Sequence, residues 1–542
     1  MAHTTYALNG MVSAPHHAAS AAGADILRRG GNAVEAAVAT AAVLGVVYPH
    51  MTGLGGDAFF LISPKAGRER GEPPAFVDGA GRSGRAVTRE FYLERGLDAV
   101  PKRGALAAAT VPGAVSAWEK ALELSAGLPG GGLPLAALLE EAAAYAENGY
   151  AVTLSKHAMA TAALYELAEL PGFAETFLPN GHVPRPGERL RLPALAESLR
   201  RLGREGLSAF YRAEKGKEPV ARPWTVGSPL RAEDLAAFRA EVRAPLGKRL
   251  FGGMIYNSPP PTQGAASLMI LALLERCAAR FGLSPEAWLD SAVLAHLTSE
   301  AVKQVFPVRD SYVADPAHMP RPAEEFLGDG FLAGLADNIH MDTAAPVVTT
   351  APGGDTVWFG AADRHGTVVS AIQSIYHEFG SGVVTPDSGI VWQNRSLGFD
   401  FAPGRPNSLG PGKKPRHTLN PALAVMDDGR CIAYGSMGGD GQPQTQAAVF
   451  LRAFVAGMPL QDAINAPRWL LGRAWGDHST SLKVEDSFAP EVFQALRRLG
   501  HEVESVPAPS SLMGHAGAVV LHADGLLEGA ADERGDGCAA GW

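Results

Sequence analysis

Thr356 is the residue whose position in this sequence most strongly suggests catalysis. It follows Gly353, Gly354 and Asp355 at the end of a stretch rich in small residues, proline and glycine, and it opens an apolar run typical of a β-strand. A threonine that starts a strand is usually there for its β-branched shape. Here, however, the two glycines permit the strained backbone that an internal acyl shift requires. The alternative to a purely structural role is therefore cleavage of the Asp355–Thr356 bond, which would make Thr356 a new N-terminus.

Such a cleavage would give Thr356 both groups that amide hydrolysis needs. A threonine hydroxyl is a weak nucleophile unless a base accepts its proton. The α-amine of a new N-terminus has an ordinary pKa of about 7.7, and it can act as that base near neutral pH. Because one residue would supply both nucleophile and base, the chemistry requires no histidine partner.

Two further features could complete a catalytic site. Ser374 lies on the predicted partner strand, where its hydroxyl could reach that of Thr356. Gly438 and Gly439 follow the end of another predicted strand, and their backbone N–H groups could stabilise an oxyanion. The sequence thus predicts Thr356 as nucleophile and base, Ser374 as its orienting neighbour, and the glycine pair as the oxyanion hole.

The elements that would position these residues change character near residue 355. Before it, segments rich in alanine, leucine and arginine predict helices over 17–29, 114–125, 135–148, 192–204, 264–281 and 285–305. After it, apolar runs joined by turns that contain Asp or Gly predict hairpins over 356–374, 421–435 and 516–531. Helices followed by strands indicate an α+β fold with sheets between helical layers.

Composition excludes several classes of function. The net charge of -9, with no basic stripe, argues against a nucleic-acid partner. The most apolar run, 33–48, is interrupted by Glu35 and is too short for a membrane span, and the start of the chain does not resemble a signal peptide. Cys277, Cys431 and Cys538 have no metal-ligand spacing and cannot form a disulfide framework. A cytoplasmic protein without a membrane partner or a bound metal is expected.

A series of short motifs lies in order along nearly the whole chain. In the first part these are residues 9–17, 30–37, 47–56, 110–115 and 258–264, and in the second part residues 356–363, 379–382, 388–390, 410–415, 435–439 and 465–468. In order and spacing they resemble the large and small subunits of the γ-glutamyltransferase family.

The resemblance implies an N-terminal nucleophile hydrolase with a four-layer αββα sandwich and no metal or organic cofactor. It also implies that a large fragment, 1–355, and a small fragment, 356–542, remain interlocked as one structural unit after cleavage. Although 542 residues would otherwise suggest several domains, one unit is expected. A homodimer of the two-fragment unit is a further expectation from the family.

The sequence departs from the family at the positions that bind a γ-glutamyl head group. Ala80 stands where the family's γ-glutamyl enzymes have an arginine for the α-carboxylate, and Gly398 stands where an acidic residue receives the α-amine. A free amino-acid head group needs both a cation and an anion in a confined site. The segment 400–414 is also shorter than in the glutathione-cleaving relatives, so we expect no flap over the pocket and water as the acceptor.

Residues 15–17, 48–51 and 511–516 resemble the oxamate amidohydrolase branch of the family. The predicted substrate is therefore a small amide that carries a carboxylate, such as oxamate. Tyr376, which matches a family asparagine, and His417 and Thr418, which match a serine pair, are predicted to bind substrate together with Arg416 and His515. The alternative for each is a packed or surface polar residue.

Three other functions stay open at this point. Within the same fold the protein could be a γ-glutamyl hydrolase or transpeptidase, or an acylase for larger amides. In a different class, it could be an uncleaved and inactive relative that acts as a binding protein.

Overall fold

The computed structural model describes residues 3–212, 217–347, 355–472 and 479–542. The end of the stretch rich in small residues before Thr356, including Gly353 and Gly354, lies outside these ranges. Within them no helix is both long enough and apolar enough to cross a membrane.

The β-strands are numbered in chain order. They are β1 Thr5–Ala7, β2 Gly10–Ala14, β3 Asp57–Ser63, β4 Ala75–Asp78, β5 Tyr150–Ala151, β6 Arg189–Leu190, β7 Glu241–Arg243, β8 Leu246–Leu250, β9 Gly253–Asn257, β10 Asp355–Asp363, β11 Val368–Tyr376, β12 Val384–Thr385, β13 Ile390–Val391, β14 Ala422–Met426, β15 Cys431–Ser436, β16 Trp469–Leu471, β17 Leu482–Glu485, β18 Val503–Val506, β19 Ala516–Leu521, β20 Leu527–Ala531 and β21 Cys538–Gly541.

The α-helices are numbered in the same way. They are α1 His17–Arg28, α2 Ala33–Val47, α3 Lys65–Glu69, α4 Arg89–Leu93, α5 Ala114–Ser125, α6 Leu135–Asn148, α7 Leu154–Leu167, α8 Phe173–Phe177, α9 Pro193–Glu205, α10 Ala232–Ala237, α11 Gly264–Phe281, α12 Ser291–Tyr312, α13 Asp329–Ala336, α14 Gln442–Phe450, α15 Leu460–Asn465 and α16 Pro490–Arg498.

Two seven-stranded sheets pack face to face at the centre of the fold. One sheet has the order β1-β20-β19-β15-β14-β9-β8, and the other has the order β21-β2-β10-β11-β3-β4-β7. Helices α1, α2 and α5 cover the outer face of the second sheet, while α11, α14 and α15 cover the outer face of the first. This arrangement is the predicted four-layer αββα sandwich.

Three apolar cores hold the layers together. The first lies between the helical layer of α1, α2 and α5 and its sheet, and it contains every alanine and valine of α2. The second lies between α11, α12 and the other sheet. The third fills the space between the two sheets and includes Phe59, Trp358 and Leu423. Because α2 is buried on all sides, its apolar sequence reflects packing between layers rather than a membrane span.

Both central sheets combine strands from the two sides of the predicted cleavage point. In one sheet β10 pairs with β2 and β11 pairs with β3, and in the other β14 pairs with β9 and β20 pairs with β1. The first and second parts of the chain therefore share their hydrogen-bonded sheets and their apolar cores.

The predicted helices and the three predicted hairpins are all present, with boundaries that move by a few residues. The largest shift concerns 285–305, where a 3-10 turn over Pro285–Leu289 precedes α12. The expectation that the first half is essentially helical was incomplete, because it also contributes β1 to β4 and β7 to β9 to the central sheets. Strand β3 is buried along its whole length, so its sequence lacks the polar alternation that reveals a half-exposed strand.

Candidate active site

Thr356 is fully buried near the start of β10, beside an irregularity in the strand pairing. Asp355 pairs with Tyr376 and Val357 pairs with Gln373, so Ser374 and Ile375 together lie opposite Thr356. Such a β-bulge bends the strand and redirects side chains, and bulges are frequent next to active sites. Ser374 lies on β11, the strand that pairs with β10, as the sequence predicted.

Ser374 is fixed by the backbone that follows it. The N–H of Tyr376 donates a hydrogen bond of 2.8 Å to Ser374 Oγ. Tyr376 has a φ of 82°, which a bulky residue adopts only under strain of about 1–3 kcal/mol. The surrounding contacts therefore hold this turn in a costly conformation at the end of β11.

Arg395 extends into the same region from the 3-10 turn Arg395–Gly398. Its Nη2 donates to Ser374 Oγ at 3.2 Å, and its Nη1 donates to Thr418 Oγ1 at 3.1 Å. The guanidinium also stacks on Tyr376, 4.1 Å from the ring centroid. Three residues of the second part of the chain thus surround one cation.

The charge of Arg395 is buried without an ion-pair partner. Its side chain is fully buried, its Nε has no hydrogen-bond partner, and none of the described carboxylates forms a salt bridge with it. Burial lowers its pKa to about 10, so the group stays protonated at neutral pH. Since an unpaired buried charge is costly, this cation is suited to receive an anionic group from a substrate.

Gly438 and Gly439 form a turn directly after β15. Their φ angles are 122° and 53°, so both lie in the region that favours glycine. Neither backbone N–H donates to another group within the described part of the chain. Two unused, adjacent amide donors are what an oxyanion hole requires.

A buried network holds this glycine turn in place. Arg309 binds both carboxylate oxygens of Asp440, at 2.9 and 3.2 Å, and also donates to Gln263 Oε1 at 2.9 Å. Gln263 Nε2 in turn donates to the carbonyl oxygens of Gly439, at 2.8 Å, and Thr418, at 2.7 Å. The network ties the glycine turn to the segment that carries Thr418.

Gln442, the first residue of α14, links the glycine turn to the nucleophile. Its Nε2 lies 3.4 Å from Thr356 Oγ1, and its Oε1 has no hydrogen-bond partner within the described ranges. The helix N-terminus and the glycine turn therefore lie at the same end of β10 as the Thr356 hydroxyl.

Two other predicted substrate-binding residues, His417 and Arg416, already have partners within the protein. The His417 ring nitrogens are both occupied, Nε2 by Asp57 at 3.0 Å and Nδ1 by the backbone N–H of Leu419 at 3.3 Å. Arg416 forms an ion pair of 3.3 Å with Asp310. Their assignment as substrate contacts stays a prediction, although both lie in the loop that leads to Thr418.

His515 lies on the other side of the glycine turn. Its carbonyl oxygen accepts from the backbone N–H of Met437 at 3.1 Å, and the preceding Gly514 lies against Gly438. The His515 ring is buried, and burial lowers its pKa to about 4. The structure thus brings Ser374, Tyr376 and Thr418 around Arg395, with Thr356 opposite Ser374 across the bulge, and no contact of His515 with that cation is among the described ones.

The two positions of the family's head-group site contain no charged group here. Ala80 is buried in the core between the two sheets. A Cβ atom on Gly398 would lie 2.6 Å from the carbonyl oxygen of Arg416, which leaves no room for an acidic side chain without movement.

Sequence reasoning missed Arg395 and Gln442. Arg395 lies three residues before Gly398 and shortly after the motif 388–390, so a comparison position by position with the family was the available signal. Gln442 had no such signal, because its approach to Thr356 depends on how α14 starts after the glycine turn.

We expect Arg309→Met to lower kcat by about 100-fold with a smaller change in KM. Loss of one oxyanion donor costs roughly 100- to 1000-fold, and this substitution frees the glycine turn while leaving Asp440 unpaired. Steady-state kinetics measures the effect, on protein whose mass shows the same cleavage as the native protein. Arg309→Lys, which keeps a charge beside Asp440, should recover part of kcat, and the exposed-site control Arg70→Met should behave as the native protein. An unchanged kcat in Arg309→Met contradicts the positioning role.

The αββα sandwich is the fold of the class of N-terminal nucleophile hydrolases. Comparison with known proteins narrows this class. The gamma-glutamyltranspeptidase family profile matches residues 19–542, and the chain belongs to that family.

Several relatives align over almost their whole length. The chain is 48% identical over 534 residues to an oxamate amidohydrolase proenzyme from Klebsiella pneumoniae, with 98% of each chain covered. It is 40% identical to a glutathione hydrolase-like proenzyme from Bacillus subtilis, again with 98% of each covered. Among solved structures, a cephalosporin acylase from Bacillus halodurans superposes with a TM-score of 0.87 at 32% identity, covering 100% of this chain and 97% of that one.

Proposed function

We propose that the protein is a self-processed amidohydrolase that cleaves the amide of a small carboxylate-bearing substrate such as oxamate. Thr356 is the nucleophile and base, the Gly438 and Gly439 amides stabilise the oxyanion, and Arg395 binds the substrate carboxylate. The observation that carries the substrate class is the buried Arg395 guanidinium beside Ser374, which has no ion pair with any carboxylate of the described ranges.

Self-processing starts from the hydroxyl of Thr356. Its Oγ attacks the carbonyl carbon of Asp355, the peptide C–N bond breaks, and water hydrolyses the resulting ester. The products are a carboxylate on Asp355 and a free α-amine on Thr356. The bulge at Thr356 supports this step because it departs from regular strand geometry at the scissile bond, and both relatives described above are named as proenzymes.

The mature reaction uses the same oxygen. The α-amine accepts the Thr356 hydroxyl proton while Oγ attacks the amide carbon, and the amide N–H groups of Gly438 and Gly439 stabilise the oxyanion. Collapse breaks the C–N bond, and the amine passes the proton to the leaving ammonia. Water then hydrolyses the acyl ester by the same route. For oxamate the balance is one water consumed, with oxalate and ammonium released.

Arg395 gives this site a preference for a carboxylate close to the scissile carbon. The guanidinium bonds Ser374, which lies opposite Thr356 across the bulge, so its free hydrogen-bonding capacity is close to the nucleophile. Arginine binds carboxylates through two parallel hydrogen bonds. In oxamate the carboxylate and the amide carbon are adjacent, which fits a cation held at short range.

The same geometry disfavours γ-glutamyl substrates. Their amino-acid head group lies several bonds from the scissile amide and requires a cation and an anion together. Ala80 provides no cation, and the backbone around Gly398 leaves no space for an acid.

A substrate panel tests the proposal. Ammonia release from oxamate should exceed the turnover of glutathione and of a larger acyl amide by about 100-fold or more in kcat/KM, because a buried charge without its partner costs about 3–5 kcal/mol. Glutathione turnover without oxamate turnover would indicate the γ-glutamyl alternative, and preferred cleavage of the larger amide would indicate an acylase.

A further inference from the structure

Four buried side chains outside the proposed catalytic site carry unused hydrogen-bonding atoms. They are His16, His50, Lys156 and His515, with exposed fractions of 2%, 0%, 1% and 4%. His16 precedes α1, His50 follows α2, Lys156 lies in the first turn of α7, and His515 precedes β19. We refer to these four residues as the histidine–lysine cluster.

Aromatic contacts bring the cluster together. The Tyr48 ring lies between two histidines, with its centroid 5.9 Å from that of His16 and 4.2 Å from that of His50. The ring centroids of His50 and Phe379 lie 6.2 Å apart. Those of Phe379 and Phe177 lie 5.1 Å apart.

Lys156 and His515 approach this group from two other elements. Lys156 Nζ lies 5.7 Å from the centroid of the Phe177 ring, next to the Phe379 that contacts His50. His515 lies against Gly535, where an added Cβ atom would be 3.2 Å from His515 Nδ1 and 3.5 Å from the carbonyl oxygen of Pro15. His50 interacts electrostatically with Lys156, His515 and His16, so the four residues converge from both parts of the chain.

Apart from His16 Nδ1, which accepts from the backbone N–H of Ala18, the side-chain nitrogen atoms of the cluster have no hydrogen-bond partner among the described residues. His16 Nε2, both ring nitrogens of His50 and of His515, and Lys156 Nζ have no hydrogen-bond partner among the described residues. Buried polar atoms in proteins are nearly always hydrogen-bonded, and each exception calls for a bound molecule or a cost of about 1–3 kcal/mol. Several exceptions on converging side chains point to one shared ligand.

The charge of the cluster selects the class of ligand. Burial lowers the pKa of Lys156 to about 8, which leaves it mainly protonated at neutral pH, and none of the carboxylates that the structure describes offsets this effect. The carboxylate of Asp536 accepts from Ser155 and does not pair with Lys156. Burial also keeps the histidines neutral, so each imidazole retains one N–H donor.

A metal ion fits the cluster less well than an anion. Within the described residues, the potential ligand atoms of His16, His50 and His515 do not gather within 4.8 Å of one another as those of a metal site do. The Lys156 ammonium would also repel a cation. An anion, in contrast, would accept hydrogen bonds from the imidazoles and neutralise the lysine.

We propose that His16, His50, Lys156 and His515 form an internal binding site for a small monovalent anion, such as a halide or formate, separate from Arg395. Three of these residues belong to the part before Thr356, and His515 belongs to the part after it. The bound anion would therefore bridge the two parts of the chain beside the glycine turn, which His515 supports through the backbone of Met437.

Bromide is a suitable probe because it can be located by anomalous scattering. Native crystals soaked in sodium bromide should show an anomalous peak between His50 and Lys156. In solution at constant ionic strength, replacing a bulky organic sulfonate by bromide should raise the Tm of the native protein by about 2 °C or more. Lys156→Met should lose this response, while Lys65→Met, which removes an exposed lysine, should keep it.

Three results would overturn the proposal. One is an empty cluster in the native bromide-soaked crystals, which decides the matter even if Lys156→Met does not fold. Another is an equal bromide response in native protein and Lys156→Met. The third is an anomalous signal at a transition-metal edge in the cluster, which would identify a cation.

Discussion

Thr356→Ala should purify as a single chain of 56.6 kDa and should have lost amidase activity, whereas the native protein should give two fragments. The substitution removes the oxygen that attacks both the Asp355 carbonyl and the substrate. Loss of a catalytic nucleophile typically costs about a millionfold in kcat, so activity should fall below detection. Intact-mass measurement and ammonia release check the two effects in the same preparation.

Thr356→Ser is the matched control, because it keeps a hydroxyl at the same position. It should still cleave and should retain measurable activity. Its serine lacks the β-methyl group that restricts the rotamer, so both rates should fall below the native rates. Active native protein with an intact 355–356 bond would contradict the mechanism, and so would cleavage of Thr356→Ala at the same position. A single inactive native chain would instead favour the binding-protein alternative.

Arg395→Met should lower kcat/KM for oxamate by roughly 30- to 5,000-fold, since removal of one partner from a buried charge pair costs about 2–5 kcal/mol. The variant should still cleave itself, because the scissile peptide needs no carboxylate partner at this position. Acetamide, which lacks the carboxylate, should be turned over by the native protein and by the variant at similar low rates. Parallel kinetics with both substrates on mass-verified protein tests this prediction.

Arg416→Met is the control that separates the two arginines near the substrate pocket. Arg416 already pairs with Asp310 at 3.3 Å, whereas Arg395 has no ion-pair partner among the described residues. We expect Arg416→Met to change oxamate turnover far less than Arg395→Met. If Arg416→Met lost more oxamate turnover than Arg395→Met, Arg416 would be the carboxylate-binding residue and the assignment of Arg395 would be wrong.

Local sequence signals determined the helices and hairpins of the fold well. Helix α1 ends before Gly30, whose φ of 94° a residue with a side chain would rarely adopt, and Asn32 caps α2 by accepting from two backbone N–H groups. The strands of the first half were harder to predict. Strands β3 and β4 are covered on both faces, so they carry no alternation of polar and apolar residues, and their pairing with β11 and β7 depends on distant parts of the chain.

The candidate site likewise combines residues whose positions follow from the local sequence with residues whose environment depends on contacts between distant parts of the chain. The positions of Thr356 at the start of a strand and of the two glycines after another could be predicted from residue type and local pattern, while their catalytic roles stay predictions. The environment of Arg395 could not, since its burial, and the lack of a carboxylate partner for it in the part of the chain that the structure describes, arise from contacts among separate loops. His417 illustrates the reverse case, in which a residue suited to binding proves to be fully hydrogen-bonded to Asp57 and Leu419.

The interleaving of strands from both sides of Thr356 has a consequence for refolding. In the uncut chain the sheets assemble within one molecule, so recovery from denaturant does not depend on protein concentration. Once the bond is cut, neither piece contains a complete central sheet, and assembly becomes a bimolecular encounter between two incomplete halves. The cleaved form would then persist through its slow unfolding rather than through easy reassembly.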